Sequence, residues 1–249
     1  MAMNKRVVLV TGAGNGIGAE VALAFAKQGD QVIISDVIAE DAERTLKKIR
    51  EASGEAIVIA CDVSRGDQVK RMMERIEDTY GRLDVCINSA GISKWKSPLE
   101  LEEDEWDKVM NTNAKGTFLC SKEAAKLMGK GGSGGSIINM ASTRAAMSEP
   151  NSEAYAASKG AIVSLTHALA ASLQDQHIQV NSISPGWIHT GDVSELRDVD
   201  HSQHFSKRVG EPSDVARLCL FLTDPRNKFI TGENVTIDGG MSKKMIYEH

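Results

Sequence analysis

Short β-branched runs alternate with segments of helical period along the whole chain. Strands are predicted at Arg6–Thr11, Gln31–Asp36, Ala56–Cys61, Leu83–Asn88, Ser136–Met140, Ile178–Ser184 and Asn234–Asp238. Between them, apolar positions recur at helical spacing over Ile17–Gln28, Ala39–Ala52, Asp67–Tyr80, Asp104–Met128, Ser152–Leu173 and Pro212–Leu222. Gly29 follows the first of these helices as a stop. Strands of this kind, separated by helices, pair in parallel through right-handed crossovers, with helices on both faces of the sheet. The Gly/Ser stretch 129–135 is too short to divide the pattern, so residues 1–249 are expected to form one α/β domain. The weakly periodic segment 186–210 is expected to be a mobile loop or short helices over the ligand crevice.

The composition fits this reading. Aromatics are scarce at 4%, against 41% apolar residues overall, which suits buried strands under closely packed helices. A net charge of −5 without a basic stripe gives no footprint for nucleic acid. The apolar run near the N-terminus is too short for a leader or a membrane span. A soluble, cytoplasmic protein with no membrane partner is expected. Lys243 and Lys244 read as a solvated tail. Cys61, Cys86, Cys120 and Cys219 lack metal-ligand spacing and read as buried thiols. His201 and His204 form HxxH without a completing ligand, so no metal is expected.

The first strand runs into TGAGNGIG, with Gly12, Gly14, Asn15, Gly16, Ile17 and Gly18 at the bend. Glycines here let backbone approach a pyrophosphate, and the next helix offers free N–H groups at its positive end. The spacing departs from the GxGxxG pattern, and a tight strand–helix turn would use the same residues. Asp36 ends the second strand, where a carboxylate would accept both ribose hydroxyls and repel a 2′-phosphate. No Arg or Lys stands beside it, which favours NAD over NADP; as a bland alternative, Asp36 caps the following helix. Asp62, after the third strand, would meet the adenine amino group or serve as a cap itself.

Tyr155 and Lys159 lie four apart in YAASK and share a helix face. A nearby ammonium, with a positively charged nicotinamide, would lower the phenol's pKa and make Tyr155 a general base or acid. Ser142 ends the strand Ser136–Met140, where its hydroxyl would bond a substrate oxygen as charge develops there. Asn113 falls on the apolar stripe of its helix, although a buried amide is costly unless bonded. A local distortion holding a water that relays protons from Lys159 would account for it. So would a bond to a neighbouring backbone carbonyl.

Together these residues resemble the short-chain dehydrogenase/reductase family. The resemblance runs from TGAGNGIG through CDV at 61–63, NSAG at 88–91, MNTNAKG around Asn113 and Ser142 in MAS. It continues through YAASK, PGWIHT at 185–190, RVGEP at 208–212 and TGENVTIDGG. Ser89 stands where the family often has a second Asn. The resemblance implies a seven-stranded Rossmann sheet and a Ser142–Tyr155–Lys159 set with Asn113 in the proton relay. It implies that Val63, Asn88, Ala90, Gly91, Pro185, Gly186, Ile188 and Thr190 lie along the cofactor. It also implies a homotetramer or homodimer, with Ala156, Ala157, Gly160 and Ala161 packed at an interface or internally.

An NAD-dependent oxidoreductase acting on a small polar hydroxy compound, such as a sugar, is the expected activity, in the manner of a glucose 1-dehydrogenase. A 3-oxoacyl (acyl carrier protein) reductase and a non-catalytic NAD-binding regulatory protein are the alternatives. Substrate contacts are expected from Ser93, Lys94, Trp95, Arg144, Met147, Glu149, Trp187, His189 and the loop 192–205. Arg144 and Lys94 would meet a carboxylate, a phosphate or a polyol.

Overall fold

The computed structural model describes residues 5–245; Met1–Asn4, the start of the N-terminal stretch weighed above as a leader, lie outside them. Strands β1 (Val7–Thr11), β2 (Gln31–Ser35), β3 (Glu55–Val58), β4 (Val85–Asn88), β5 (Gly135–Met140), β6 (Ile178–Pro185) and β7 (Asn234–Ile237) form one sheet. Its order is β3-β2-β1-β4-β5-β6-β7. Every pairing is parallel, with Thr11 beside Asn88 and Met140 beside Ile183. This is the doubly wound Rossmann arrangement expected. The third strand is shorter than its apolar run, ending at Val58, although the Ile59 and Cys61 N–H groups still bond the carbonyls of Ile34 on β2 and of Asp36 just beyond it.

Alternation along the strands divides the core into two halves, because successive strand side chains point to opposite faces. Val8, Val10, Val32, Ile34, Ile87 and Ile138 meet α1 (Gly16–Lys27), α2 (Ala39–Glu51) and α8 (Pro212–Leu222). Leu9, Ile33, Cys86, Ile137 and Val180 meet α3 (Gly66–Tyr80), α5 (Gly116–Lys130) and α6 (Glu153–Leu173). Phe25 is fully buried between α1 and the sheet; burying such a side chain stabilises by about 1.5–3 kcal/mol. All four cysteines are buried free thiols, and burial pushes Cys86 and Cys219 up to about 12.

One predicted helix is three pieces. Glu103–Met110 is α4, residues Asn111–Lys115 form a π turn, and α5 follows. The wider turn lies at Asn113, where the apolar stripe carries an amide. Trp106, at the other end of that stripe, is half-exposed. Segment 186–210 holds a 3-10 turn at Val193–Glu195 and the short helix α7 (Asp198–Ser202). Ile188 bridges Gly210 across its base, and Asp200 and His204 are buried within it. The basic pair at 243–244 is not simply solvated, because Lys244 donates to the Ser202 carbonyl at 2.7 Å. Among the described residues, no helix is long and apolar enough to cross a membrane.

Candidate active site

Order in the sheet reverses between β1 and β4, and the crevice beyond the strands' carboxyl ends opens there. A cavity of about 1080 Å³ occupies it, walled by the residues after β1, β2, β3, β4, β5 and β6.

The glycine turn forms the cavity's phosphate end. Gly12 has φ +64, and a Cβ there would lie 2.6 Å from the Ala90 Cα. A Cβ on Gly18 would fall 2.1 Å from the Gly12 carbonyl oxygen. Both positions exclude a side chain, so the chain turns tightly and bare backbone faces the cavity. Asn15 precedes α1 without capping it, and the first turn has no acidic residue. The N-terminal N–H groups are therefore turned to the crevice, as an anionic ligand requires. This cradle fits the diphosphate of a dinucleotide.

Asp36 follows β2 on the same wall. Its Oδ2 accepts the Gly14 N–H at 2.9 Å and its Oδ1 the Ile38 N–H at 3.1 Å. These bonds fix the carboxylate and leave each oxygen a further lone pair. Asp36 therefore closes a turn ahead of α2 and does not cap that helix, whose N-cap is Ile38. Val37 and Ile38 beside it are exposed and apolar and offer no cation to a 2′-phosphate. Asp62 and Val63 also line the cavity. Asp62 Oδ1 is occupied by the Ser64 N–H and hydroxyl, at 2.9 and 2.7 Å.

At the other end stand Ser142, Tyr155 and Lys159, with Pro185, Gly186, Ile188 and Thr190 from beyond β6. Ser142 opens a 3-10 turn, Thr143–Ala145, whose Arg144 N–H donates to its Oγ at 3.2 Å. Lys159 is buried, donates from Nζ to the Met140 carbonyl at 2.7 Å and lies 5.4 Å from the Tyr155 ring centroid. Burial lowers its pKa to about 8. The expected lowering of the Tyr155 phenol by this ammonium is not met in the protein alone. Burial raises the phenol above its ordinary value, while the Ser142 hydroxyl and the Arg144 charge pull it down. Lys159 is turned to a backbone carbonyl and holds its own charge weakly, so it does not offset the phenol's desolvation.

Three of the singled-out residues stand behind the wall. Gly14 is turned to Asp36 and Thr45. Asn88, expected along the cofactor, is buried in the sheet and donates to Ser121 and Asn139, each at 2.8 Å. Asn113 is buried; it accepts the Ile92 N–H at 2.8 Å and donates to the Ile92 carbonyl and the Ser158 hydroxyl. Its amide clasps the loop after β4 with both hydrogens in use, and the π turn there is the expected distortion. A Cβ on Gly91 would meet Asn113 Oδ1 at 3.3 Å and Lys159 Nζ at 3.6 Å, so the clasp adjoins the lysine.

The sequence reading missed Lys108, Asn111 and Thr112, which the end of α4 and the π turn bring to the cavity wall. Polar residues flanking the misplaced amide were the available signal. Of the substrate positions, Ser93 and Trp95 line the cavity, whereas Lys94 and Arg144 are engaged in ion pairs. Lys94 meets Glu105 at 2.7 Å, and Arg144 pairs with Glu149. His201 accepts the Val209 N–H, and His204 bonds the Asp200 carbonyl, so each HxxH ring is turned to local backbone.

A family profile described as enoyl-(acyl carrier protein) reductase matches residues 12–242. An uncharacterized oxidoreductase of Thermotoga maritima is 44% identical over 252 residues, covering 98% of both chains. The 3-oxoacyl-[acyl-carrier-protein] reductase FabG of Staphylococcus epidermidis is 36% identical, over 96% of this chain and 99% of its own. Among solved structures, a short-chain type dehydrogenase/reductase from Mycobacterium marinum superposes with a TM-score of 0.89 at 33% identity, covering 95% of each chain.

Proposed function

The chain belongs to the short-chain dehydrogenase/reductase family, and we propose on that footing that it moves a hydride between NAD(H) and a small polar hydroxy compound, sugar-like in character, or the matching carbonyl. The reading rests on Ser142, Tyr155 and Lys159 sharing one cavity wall with the glycine cradle.

Gly12–Gly18 would hold the cofactor's diphosphate and Asp36 its adenosine ribose, with Asp62, Val63, Ala90 and Gly91 along its length. Pro185, Gly186, Ile188 and Thr190 flank the ring. When bound, the nicotinamide supplies the hydride acceptor or donor. Tyr155 takes the substrate hydroxyl proton in oxidation and returns it in reduction. Ser142 hydrogen-bonds the substrate oxygen as charge develops there. Lys159 holds the nicotinamide ribose and, with the oxidised ring's positive charge, brings the phenol down from its raised value. Asn113 positions residues 91–92 against Lys159. The chain works as one unit, with 186–210 as its substrate loop. It assembles as a homotetramer or homodimer, for which the surface-facing Ala156, Ala157, Gly160 and Ala161 of α6 leave room.

A second reading, reduction of a 3-oxoacyl thioester, is favoured by the 36% identity to FabG. A regulatory NAD-binding protein would need no Ser–Tyr–Lys set. A panel of sugars, hydroxy acids, alcohols and 3-oxoacyl thioesters, followed by nicotinamide absorbance with both cofactors, tests the proposal. Turnover of hydroxy compounds with NAD is expected, and turnover of thioesters alone selects the second reading. Cofactor binding without turnover of any of these selects the regulatory one.

A further inference from the structure

Resting on that reading of the site, the rim beyond Ser142 narrows the substrate class. The 3-10 turn that fixes the Ser142 hydroxyl also launches Arg144. The guanidinium carbon stands 5.9 Å from the Trp95 ring centroid, so the indole is shared between the cavity wall and this cation. Only 17% of the Arg144 side chain is exposed, whereas its partner Glu149 is 57% exposed. The arginine is thus set in place by an aromatic face, but its counter-ion sits mostly in water. Such an ion pair contributes about 0–1 kcal/mol and is readily exchanged for another carboxylate.

Glu105 is bridged by both Lys94 and Lys96, each at 2.7 Å. Glu105 is 23% exposed and matched by two lysines, whereas Arg144 has one partner acid, which is 57% exposed. A guanidinium beside an aromatic face presents a planar fork that matches a carboxylate in two-point contact.

We propose that Arg144 reads a carboxylate on the substrate, which displaces Glu149, so that the enzyme acts on a hydroxy acid or the corresponding oxo acid. Trp95 flanks the guanidinium, and Ser142 and Tyr155 take the carbinol oxygen of the same molecule. Arg144 is then a specificity residue, and Glu149 is a competitor for it.

The full chain loaded with NADH is titrated with malonate by calorimetry, and hydroxy acids are assayed against their methyl esters with NAD. Malonate is expected to bind. Arg144→Gln should weaken it about tenfold or more, the loss of a charge-assisted bond. Arg144→Lys, which keeps the charge without the fork, should fall between. Glu149→Gln should act in the opposite sense, tightening malonate and lowering KM for hydroxy acids with little change in kcat. The acid-to-ester ratio of kcat/KM should drop about tenfold in Arg144→Gln. If that variant loses NADH binding, the Glu149→Gln arm decides alone. No malonate binding to the wild type, or no tightening in Glu149→Gln, overturns the proposal. Turnover without preference for acid over ester also overturns it while leaving the dehydrogenase reading intact. Malonate binding without turnover of any alcohol would retain the anion site and sink the dehydrogenase reading.

Discussion

Lys159 donates its Nζ hydrogen bond to the Met140 carbonyl at 2.7 Å, tying α6 to the carboxyl end of β5 directly beneath Ser142. The ammonium is buried with its pKa lowered to about 8. A lysine depressed in the folded state binds a proton less readily there than in the unfolded chain. Between pH 8 and its ordinary 10.5, the unfolded chain therefore carries the extra proton, and the lysine's contribution to stability rises with pH. Below pH 8 the lysine destabilises by the full amount, on the order of 3 kcal/mol at most. Cofactor-free wild type and Lys159→Met should thus differ in the slope of denaturant stability against pH across this window, the wild type gaining relative to the variant. Parallel slopes would mean that the lysine is not desolvated.

Tyr155→Phe removes one hydroxyl from a half-buried ring and should leave the fold and NADH affinity almost unchanged. Loss of a general acid–base group costs about 10²–10⁴-fold in rate, so kcat should fall by that much in both directions. Retained turnover would remove the phenol from the chemistry. In the cofactor-free protein, phenolate absorbance assigned by difference from Tyr155→Phe should appear only above pH 10, since burial raises this group. Ser142→Ala should move it higher still, because the serine hydroxyl favours the phenolate. Oxidised cofactor should move it down. The rising limb of kcat/KM with pH for alcohol oxidation, which reports the deprotonated base, should follow these shifts.

The strands and most helices were legible because period-2 and period-3.6 patterns coincide with burial: Leu9 and Val10 point to opposite helical layers, as their alternation requires. Glycine positions were legible too, since Gly12 and Gly18 admit no side chain. Long-range pairing was not. Nothing local shows that the Asn113 amide would clasp Ile92, 21 residues away, or that Asn88 would join Asn139 inside the sheet. Nor does sequence reveal that Lys94 and Arg144 each meet an acid, because Glu105 and Glu149 reach them through loop geometry. The tyrosine's raised pKa was hidden for a related reason: YAASK gives the spacing of two groups but not the desolvation around them.

The NAD preference proposed above turns on one carboxylate, Asp36. Both of its oxygens are oriented by backbone N–H groups, and its exposed neighbours Val37 and Ile38 bring no positive charge. NADH should bind at least about tenfold more tightly than NADPH, the equivalent of one charge-assisted bond. Asp36→Ala should erase most of that difference by weakening NADH and relieving repulsion of the 2′-phosphate. Fluorescence titration with both nucleotides measures it. Equal affinities in the wild type would place the ribose elsewhere.

Asn113 should prove a residue of position. Asn113→Ala strips partners from the partly buried Ile92 N–H and carbonyl and from the buried Ser158 hydroxyl. Leaving a buried polar group unpaired costs about 1–3 kcal/mol, so the variant should lose on the order of 2–4 kcal/mol in urea-monitored stability once the loop relaxes. Asn113→Asp keeps the acceptor for the Ile92 N–H but sets a carboxylate against the Ile92 carbonyl and, within the same clasp, near Lys159. That charge should raise the lysine's pKa from about 8 and shift the pH dependence of stability alkaline, an effect that lost packing alone would not produce. A stability loss in both variants with an unshifted pH dependence would confine Asn113 to holding the loop and separate it from the lysine.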